Sequence, residues 1–254
     1  IPDKLYIPLT DIRMLTKVDL LMLEMLANCN WERPLYLAIS VGSVSKLKFD
    51  NYFVQEGLAF RFTPFDYKKW GDVGENRLYA VDVERLYDNV MNRYKYGGLD
   101  TPGLYLDETT LRTCWYHRRL FAQLAKELIA QGDNERAKKV LAYAEQVIPG
   151  YNVPETHESG SYDIATAYAA LGEKTKAVTL AVHLIAEAED YINWAFSLKG
   201  NRIEMVRNDC IYKFWQWNQY NELLKKIDGE KYKESNRQFE EKYALFAPTM
   251  NYKN

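Results

Sequence analysis

The strongest constraint on the fold of this 254-residue sequence is a repeat in its C-terminal part. At an offset of 40 residues, Leu124 and Ala125 match Ile164 and Ala165, Leu128 matches Tyr168, Gly132 matches Gly172, Ala137 matches Ala177, Leu141 matches Ala181 and Ala144 matches Leu184. In each copy, a glycine separates two stretches of helical periodicity. Small alanines let two helices approach closely, and the leucines fill the space between them. The repeat therefore predicts stacked helical hairpins.

These positions resemble the tetratricopeptide repeat, whose unit has about 34 residues. Pro149 would end the first unit, and an insert around residues 151–156 would account for the extra length. The predicted helix pairs are 109–130 with 135–147, 162–171 with 174–190, and a looser third pair, 203–217 with 220–227. A final helix is expected over 230–246, before Pro248. An unrelated bundle with coincidental alanine spacing is the alternative.

The N-terminal residues, 1–104, show mixed periodicity instead of one helical period. Helices are predicted over 18–28, 46–55 and 83–94, the last with Asp82 as its N-cap. Strands are predicted over 35–41, 58–63 and 78–81, because the first is a short β-rich apolar run and the second alternates with a period of two. Leu58, Phe60 and Phe62 are expected to share one core with Leu35 and Leu37. This part of the chain therefore predicts a small α+β cap.

The charge balance excludes some classes of partner. The formal net charge is −2, with 33 basic and 35 acidic residues, so the basic excess of a nucleic-acid-binding protein is missing. No apolar run approaches the roughly 18 residues that a membrane helix needs. The sequence begins at Ile1-Pro2 without methionine, which favours a fragment of a longer protein. Any contact with a membrane is therefore expected only through a segment that precedes this one.

No catalytic or metal-binding pattern stands out. His117, His157 and His183 lie in no metal-ligand spacing, so no metal or cofactor is predicted. The segment 42–46 follows a strand but lacks the phosphate-loop spacing, which favours an ordinary turn. Cys29, Cys114 and Cys210 favour buried thiols, although one disulfide bond stays open. The sequence therefore indicates no reaction within this chain.

Eight residues are candidates for binding, and each also has a structural interpretation. They are Trp31, Arg33, Glu56 and Arg61 in the N-terminal part, His117 and Arg119 in the cluster 115–119, and Trp194 and Trp215 in the helical part. Arg33, Glu56 and Arg61 could form an ion-pair network that fastens the cap, or they could face a ligand. His117 and Arg119 could hold an anion. Trp194, Trp215 and Trp217 could form a platform for a peptide or a sugar, or pack in the core.

Two segments carry a family resemblance, NWERPLYLA at 30–38 and YFVQEGLAFRFTP at 52–64. They resemble the segment that follows the membrane region in bacterial proteins of the transmembrane protein 260-like family. The resemblance implies a multi-spanning part similar to protein O-mannosyltransferases and a C-terminal part with tetratricopeptide-like repeats. It implies that this chain lies on the periplasmic face of the inner membrane. It also implies that any sugar transfer takes place in the membrane part, none of whose residues can be carried onto this sequence.

Together these observations predict a mainly α protein, made of tetratricopeptide-like helical hairpins with a small α+β N-terminal cap. The predicted domains are the cap, 1–104, and the helical repeat region, 105–254. The predicted function is non-catalytic binding of a protein or peptide partner beside a membrane glycosyltransferase-like protein. A carbohydrate-processing helical enzyme and a glycan-binding module are the alternatives.

Overall fold

The computed structural model describes residues 5, 7, 12–41, 47, 50–67, 79–198 and 202–250. The turn expected over 42–46 and most of the loop that follows Tyr67 lie outside the described residues. The chain divides between Lys95 and Tyr96 into two compact units, the N-terminal unit and the helical unit. The molecule is mainly α-helical, with a small sheet in the N-terminal unit, as the sequence predicted.

The N-terminal unit contains two α-helices and a four-stranded sheet among its described residues. Its elements are α1 (Lys17–Asn28), β1 (Tyr36–Ala38), β2 (Phe53–Gln55), β3 (Ala59–Phe62), β4 (Ala80–Val81) and α2 (Val83–Asp88). A π-helical turn, Asn89–Arg93, extends α2. The strand order is β1-β3-β2-β4, in which β3 is antiparallel to both neighbours and β4 is parallel to β2.

The core of the N-terminal unit follows the predicted alternation at Phe60 and Phe62, whereas Leu58 is half-buried and does not belong to the same cluster. Phe60 and Phe62 lie in one hydrophobic cluster with Leu35 and Leu37, and Tyr52 and Phe53 belong to the same cluster. The N-cap prediction is also confirmed, because Asp82 accepts a hydrogen bond from the backbone N–H of Arg85 at 3.1 Å.

The helix predicted over 46–55 is wrong at its C-terminal end. Residues Asp50–Tyr52 form one 3₁₀ turn, and Phe53–Gln55 form the strand β2. All three side chains of β2 are buried, and its two faces are covered separately: Phe53 packs in the cluster of Phe62, and Val54 packs with Ala80 and Tyr67. A strand covered on both faces lacks the polar–apolar alternation by which strands are recognised in a sequence.

The helical unit contains seven α-helices among its described residues. They are α3 (Glu108–Ala130), α4 (Asn134–Val147), α5 (Ser161–Ala170), α6 (Lys174–Ser197), α7 (Arg202–Met205), α8 (Arg207–Ile227) and α9 (Gly229–Met250). Successive helices pack in pairs, α3 with α4, α5 with α6 and α8 with α9. Additional packing of α3 on α5 and of α6 on α8 joins the pairs into one unit.

The first two hairpins turn in the same way, 40 residues apart. At the first turn, Asp133 N–H donates to the carbonyl of Leu128 and Gly132 N–H to that of Ile129; Glu173 and Gly172 repeat both bonds with Tyr168 and Ala169. The two glycines have φ of +80° and +79°, a left-handed conformation that glycine adopts without steric cost. Ala125, Ala137, Ala165 and Ala177 are all 0% exposed, which confirms their predicted burial.

The third predicted pair is wrong. Asn218 and Gln219 do not form a turn, because α8 runs unbroken from Arg207 to Ile227. Trp217, Tyr220 and Asn221 are buried on either side of the expected turn, and this packing outweighs the small cost of Asn and Gln in a helix. The partner of α8 is α9, whose last turn contains Pro248.

Two smaller predictions also need correction. Helix α6 continues beyond residue 190 to Ser197, because Ile192 and Ala195 extend its buried stripe. All three cysteines are free; Cys114 and Cys210 are buried, whereas Cys29 is only half-buried.

Replacing Ala137 with leucine is expected to lower the free energy of unfolding by about 1–3 kcal/mol, because the larger side chain overpacks the contact between α3 and α4. Ala142→Leu provides the matched control, since Ala142 is exposed on the same helix. It is expected to change the free energy of unfolding by less than about 0.5 kcal/mol. Urea denaturation followed by circular dichroism measures both values. Equal effects of the two substitutions would contradict the hairpin packing.

Candidate functional site

Glu56 is the centre of a polar cluster in the N-terminal unit. Its buried carboxylate accepts hydrogen bonds from Arg61 Nε and, at 2.8 Å, from Arg85 Nη1. Its backbone carbonyl accepts a third, from Asn89 Nδ2 at 2.6 Å. These contacts tie the end of β2 to β3, α2 and the π-helical turn. The predicted pair of Glu56 and Arg61 therefore exists, and its contacts are those of a structural fastening.

The other two candidates in this unit do not join that cluster. Arg33 is exposed and makes no ion pair with any described residue. Trp31 is half-buried and stacks on Phe62, with ring centroids 6.0 Å apart and an angle of 11° between the planes. The structure therefore places Trp31 against the hydrophobic core and Arg33 on the surface.

Arg118 in α3, which sequence reasoning passed over, is the most constrained side chain of the helical unit. It is 3% exposed. Its two terminal nitrogens donate to the carbonyls of Ile148, Val153 and Pro154 at 3.0, 2.6 and 2.8 Å and to Ser159 Oγ at 3.1 Å. Burial lowers the pKa of Arg118 to about 10, against an opposing effect of Glu155, so the side chain is charged at neutral pH. Arg118 therefore anchors the loop between α4 and α5.

The two residues next to Arg118 in the chain, His117 and Arg119, contact other parts of the helical unit. His117 is half-buried against the ring of Tyr96, 5.5 Å away, and burial lowers the pKa of its imidazole. Arg119 is exposed and donates to the backbone carbonyl of Glu158 through Nε and Nη2. The expected anion site would need both side chains to face one ligand, whereas each already contacts a different part of the protein.

An aromatic surface brings Trp215 together with residues from another element. It consists of His157 before α5, Tyr162 in α5, and Tyr212 and Trp215 in α8. The Tyr212 and Trp215 rings stack, with centroids 5.6 Å apart and an angle of 11°, and these two side chains are 45% and 49% exposed. The His157 ring lies 5.7 Å from Tyr162 and 5.6 Å from Trp215. Trp215 therefore belongs to a continuous surface of rings.

Charged and amide groups lie beside the aromatic surface. Gln216 Nε2 donates to Glu158 Oε1 at 3.1 Å, and Lys213 Nζ donates to Glu187 Oε1 at 2.7 Å. Burial alone would raise the pKa of Glu158, but a backbone N–H and Lys213 outweigh it and hold the pKa below its ordinary value. Glu158 is therefore a carboxylate at neutral pH.

Trp194 does not belong to the aromatic surface. It lies in α6 against Tyr191, with centroids 5.2 Å apart, and it is 49% exposed. Of the three tryptophans considered for one platform, Trp217 is fully buried, and Trp194 and Trp215 lie in different surroundings although their exposure is equal.

A cleft with a volume of about 390 Å³ opens between α4 and α6, above α5. Five of its lining residues form an apolar floor: Leu141, Ala144, Ile148, Ile164 and Leu180. Its polar lining includes Arg118, Glu145, Glu155, Ser161, Tyr168, Thr175, Lys176, Thr179 and His183. Glu145 accepts hydrogen bonds from Tyr168 Oη and, at 2.8 Å, from Lys176 Nζ. We refer to this site as the α4–α6 cleft.

The insert in the first repeat forms one wall of this cleft. Residues 148–160 connect α4 to α5, where a shorter link would bring the two helices together. Asn152 Nδ2 fixes this loop by donating to the carbonyls of Leu99 and Thr101 at 2.7 and 2.6 Å, and Arg118 holds it from inside. The loop that contributes Pro149, Gly150 and Glu155 to the lining is therefore held in place by side chains on both sides.

The signals for Arg118 and the cleft are present in the sequence. Cys114, Arg118, Phe121 and Ala125 follow one another at helical spacing, so a charged residue lies in the buried stripe of α3. A charge in such a stripe indicates buried acceptors. The observed offset of 40 residues exceeds the usual unit of about 34 residues. The extra length indicates a longer loop between the two repeats, and this loop lines the cleft.

The stability of the helical unit is expected to fall as the pH is lowered from 7.5 to 5.5, in part because of His157. Its Nδ1 lies 2.9 Å from Tyr220 Oη, within hydrogen-bond distance. Burial, first among several influences, lowers the pKa of His157. As the pH falls, the His157 ring of the unfolded chain therefore binds a proton near pH 6.5, at a higher pH than the ring of the folded chain. The free energy of unfolding decreases as the pH falls through this range.

Substituting His157 with glutamine removes this titration and should make the stability less dependent on pH. The residual slope of His157→Gln belongs in part to His117, whose pKa burial also lowers. Urea denaturation at several pH values in this range, where carboxylates stay ionised, measures the slope for both chains. An unchanged slope in the variant would show that His157 is not the titrating group.

Comparison with known proteins gives one match. Residues 1–84 match the family model of TMEM260-associated domain 2, and this stretch includes both segments that carried the resemblance. The match supports a TMEM260-like family for the N-terminal third of the chain. No curated protein and no solved structure matches the chain.

Among the described residues, no helix is both long enough and apolar enough to cross a membrane.

Proposed function

We propose that the helical unit is a non-catalytic binding module that holds an extended peptide segment of a protein partner in the α4–α6 cleft. The observation that carries this proposal is the composition of the cleft, an apolar floor bordered by hydroxyl groups. Thr175 and Thr179, both exposed, can donate to and accept from a peptide backbone, while the floor receives an apolar side chain.

The dimensions of the cleft suit a short stretch of extended chain. Its wall on α4 runs from Leu141 to Ile148, and its wall on α6 runs from Thr175 to His183. At a rise of 1.5 Å per residue, each wall is about 10–12 Å long. An extended peptide advances about 3.3 Å per residue, so three or four residues fit between the walls.

The charges in the cleft favour a partner of mixed character. Lys176 of α6 and Glu145 of α4 form an ion pair between the two walls, and Glu155 lies with Arg118 in the lining of the same cleft. Because both signs are present, a strongly acidic or strongly basic segment gains little from this site. An apolar anchor residue with polar neighbours on each side fits better.

We further propose that the chain acts beside the membrane part of a TMEM260-like protein. The match of residues 1–84 supports this setting, and the resemblance supports a periplasmic position next to a glycosyltransferase-like region. The identical turns and buried alanines of the first two hairpins support a tetratricopeptide-like repeat. In this setting the cleft would keep an acceptor or partner protein at high local concentration near the membrane.

A carbohydrate-processing enzyme is the second candidate, because Glu145 and Glu155 line one cleft. A general acid needs a carboxyl group that holds its proton near neutral pH. Glu145 instead accepts hydrogen bonds from Lys176 and Tyr168, so its carboxylate is already engaged by two residues of the protein. Binding without reaction therefore fits these contacts better. Glycoside hydrolysis by the full chain that Glu155→Gln abolishes would favour the enzyme.

The experiment is a selection of peptides from a displayed library of random seven-residue sequences, with the full chain as bait. The affinity of a selected peptide is then measured by fluorescence anisotropy for the parent chain and for Thr179→Trp, which fills the cleft. The substitution is expected to weaken binding at least about ten-fold, equivalent to 1.4 kcal/mol.

Val182→Trp is the matched control, because Val182 is an exposed residue of the same helix that does not line the cleft. It is expected to leave the affinity unchanged. Failure to select any peptide, or equal affinities for Thr179→Trp and the parent chain, would contradict the proposal.

A further inference from the structure

The aromatic surface is a second feature of the helical unit, with chemistry different from that of the cleft. Tyr212 and Trp215 present stacked and exposed rings, whereas the α4–α6 cleft is lined by aliphatic and hydroxyl groups. Neither ring lines the cleft. The aromatic surface therefore needs an explanation of its own.

Glu158 gives this surface a local negative charge. Two other carboxylates that act on the His157 ring already have cationic partners, since Glu187 pairs with Lys213 and Asp163 pairs with Lys126. The side chain of Glu158, in contrast, is hydrogen-bonded to the neutral amide of Gln216. Glu158 forms no ion pair with any described residue, and Lys213, which lowers its pKa, is itself paired with Glu187.

We propose that the aromatic surface binds a cationic side chain, lysine or arginine, of a basic peptide segment. Electron-rich ring faces attract a cation, and the attraction is strongest for tryptophan. Glu158 supplies the opposite charge. The exposed rings and this carboxylate belong to the same group of residues, because both Glu158 and Trp215 act on His157. This site is independent of the peptide that occupies the α4–α6 cleft.

The test is an NMR titration of the full chain with an acetylated pentapeptide that carries two arginines between glycines. The indole N–H signal of Trp215, assigned by its loss in Trp215→Phe, is expected to shift saturably. The same peptide with glutamines in place of the arginines, and a neutral linear oligosaccharide, should leave it in place. Glu158→Gln, which keeps the shape of the side chain, is expected to weaken binding about 5- to 10-fold.

Trp194 provides the matched control, because Trp194 and Trp215 are each 49% exposed. Trp215→Ala is expected to weaken binding of the arginine peptide about 5- to 10-fold, whereas Trp194→Ala should leave the affinity unchanged. Equal losses from both substitutions would indicate unspecific aromatic contact and overturn the proposal. A shift with the oligosaccharide but not with the arginine peptide would replace it with glycan binding.

Discussion

Replacing Arg118 with methionine is expected to lower the free energy of unfolding of the chain by about 3–5 kcal/mol. Methionine matches the aliphatic part of arginine but donates no hydrogen bond. The carbonyls of Ile148, Val153 and Pro154 would then lose their Arg118 donors. Each unsatisfied buried group costs about 1–3 kcal/mol. Buried ion pairs can often be replaced by apolar residues, but here the acceptors belong to the backbone and remain.

Arg112→Met is the matched control, because Arg112 is exposed on the same helix and pairs with Glu108 one turn away. That substitution is expected to change the free energy of unfolding by less than about 0.5 kcal/mol. Urea denaturation of both variants and of the parent chain measures the difference. If the free energy of unfolding of Arg118→Met is within about 1 kcal/mol of that of the parent chain, Arg118 does not anchor the loop. Peptide binding in the cleft should also be weaker in Arg118→Met, because the anchored loop forms one wall.

The substitution Trp217→Ala is expected to have an effect of similar size, about 3–5 kcal/mol. Trp217 is 0% exposed in α8, and its indole Nε1 donates to Ser235 Oγ at 2.8 Å. Ser235 Oγ in turn donates to Asn221 Oδ1 at 2.6 Å. Alanine would leave a large cavity between α8 and α9 and would remove the first donor of this buried chain.

Trp215→Ala is the natural comparison for Trp217→Ala, since the two tryptophans lie two residues apart on one helix. Trp215 is half-exposed, so its loss should cost less than about 1 kcal/mol of stability and should instead weaken binding of a basic peptide. Denaturation and titration of the same two variants separate these roles. Similar destabilisation by both substitutions would contradict the assignment of Trp217 to the core and Trp215 to the surface.

The repeat made most of the helical unit predictable. Ala125, Ala137, Gly132 and their counterparts follow from local chemistry, because close packing requires small side chains and the turn requires a left-handed residue. The extension of α6 and the continuity of α8 were missed for a common reason. In both, tertiary burial of residues such as Ile192 and Tyr220 outweighs local signals that favour a helix end.

The site was less predictable, because a single sequence does not show which residues meet. Glu56 and Arg61 were paired correctly, since they lie close together in the chain. Arg118 bonds to acceptors 30–41 residues away, and no local pattern indicates such partners. The cluster 115–119 was identified as a candidate anion site, but Arg118 was not identified as its buried member. The α4–α6 cleft depends in the same way on a loop whose anchors are distant in sequence.

The most direct test of the proposed function is methyl NMR of the full chain with the selected peptide. Leu141, Ile148, Ile164 and Leu180 carry methyl groups in the floor of the α4–α6 cleft, whereas Leu224 is fully buried in α8 and does not line the cleft. The account predicts that the four floor residues shift together and saturably, while Leu224 stays in place. Saturable shifts confined to methyl groups outside the cleft, with the floor unchanged, would contradict it.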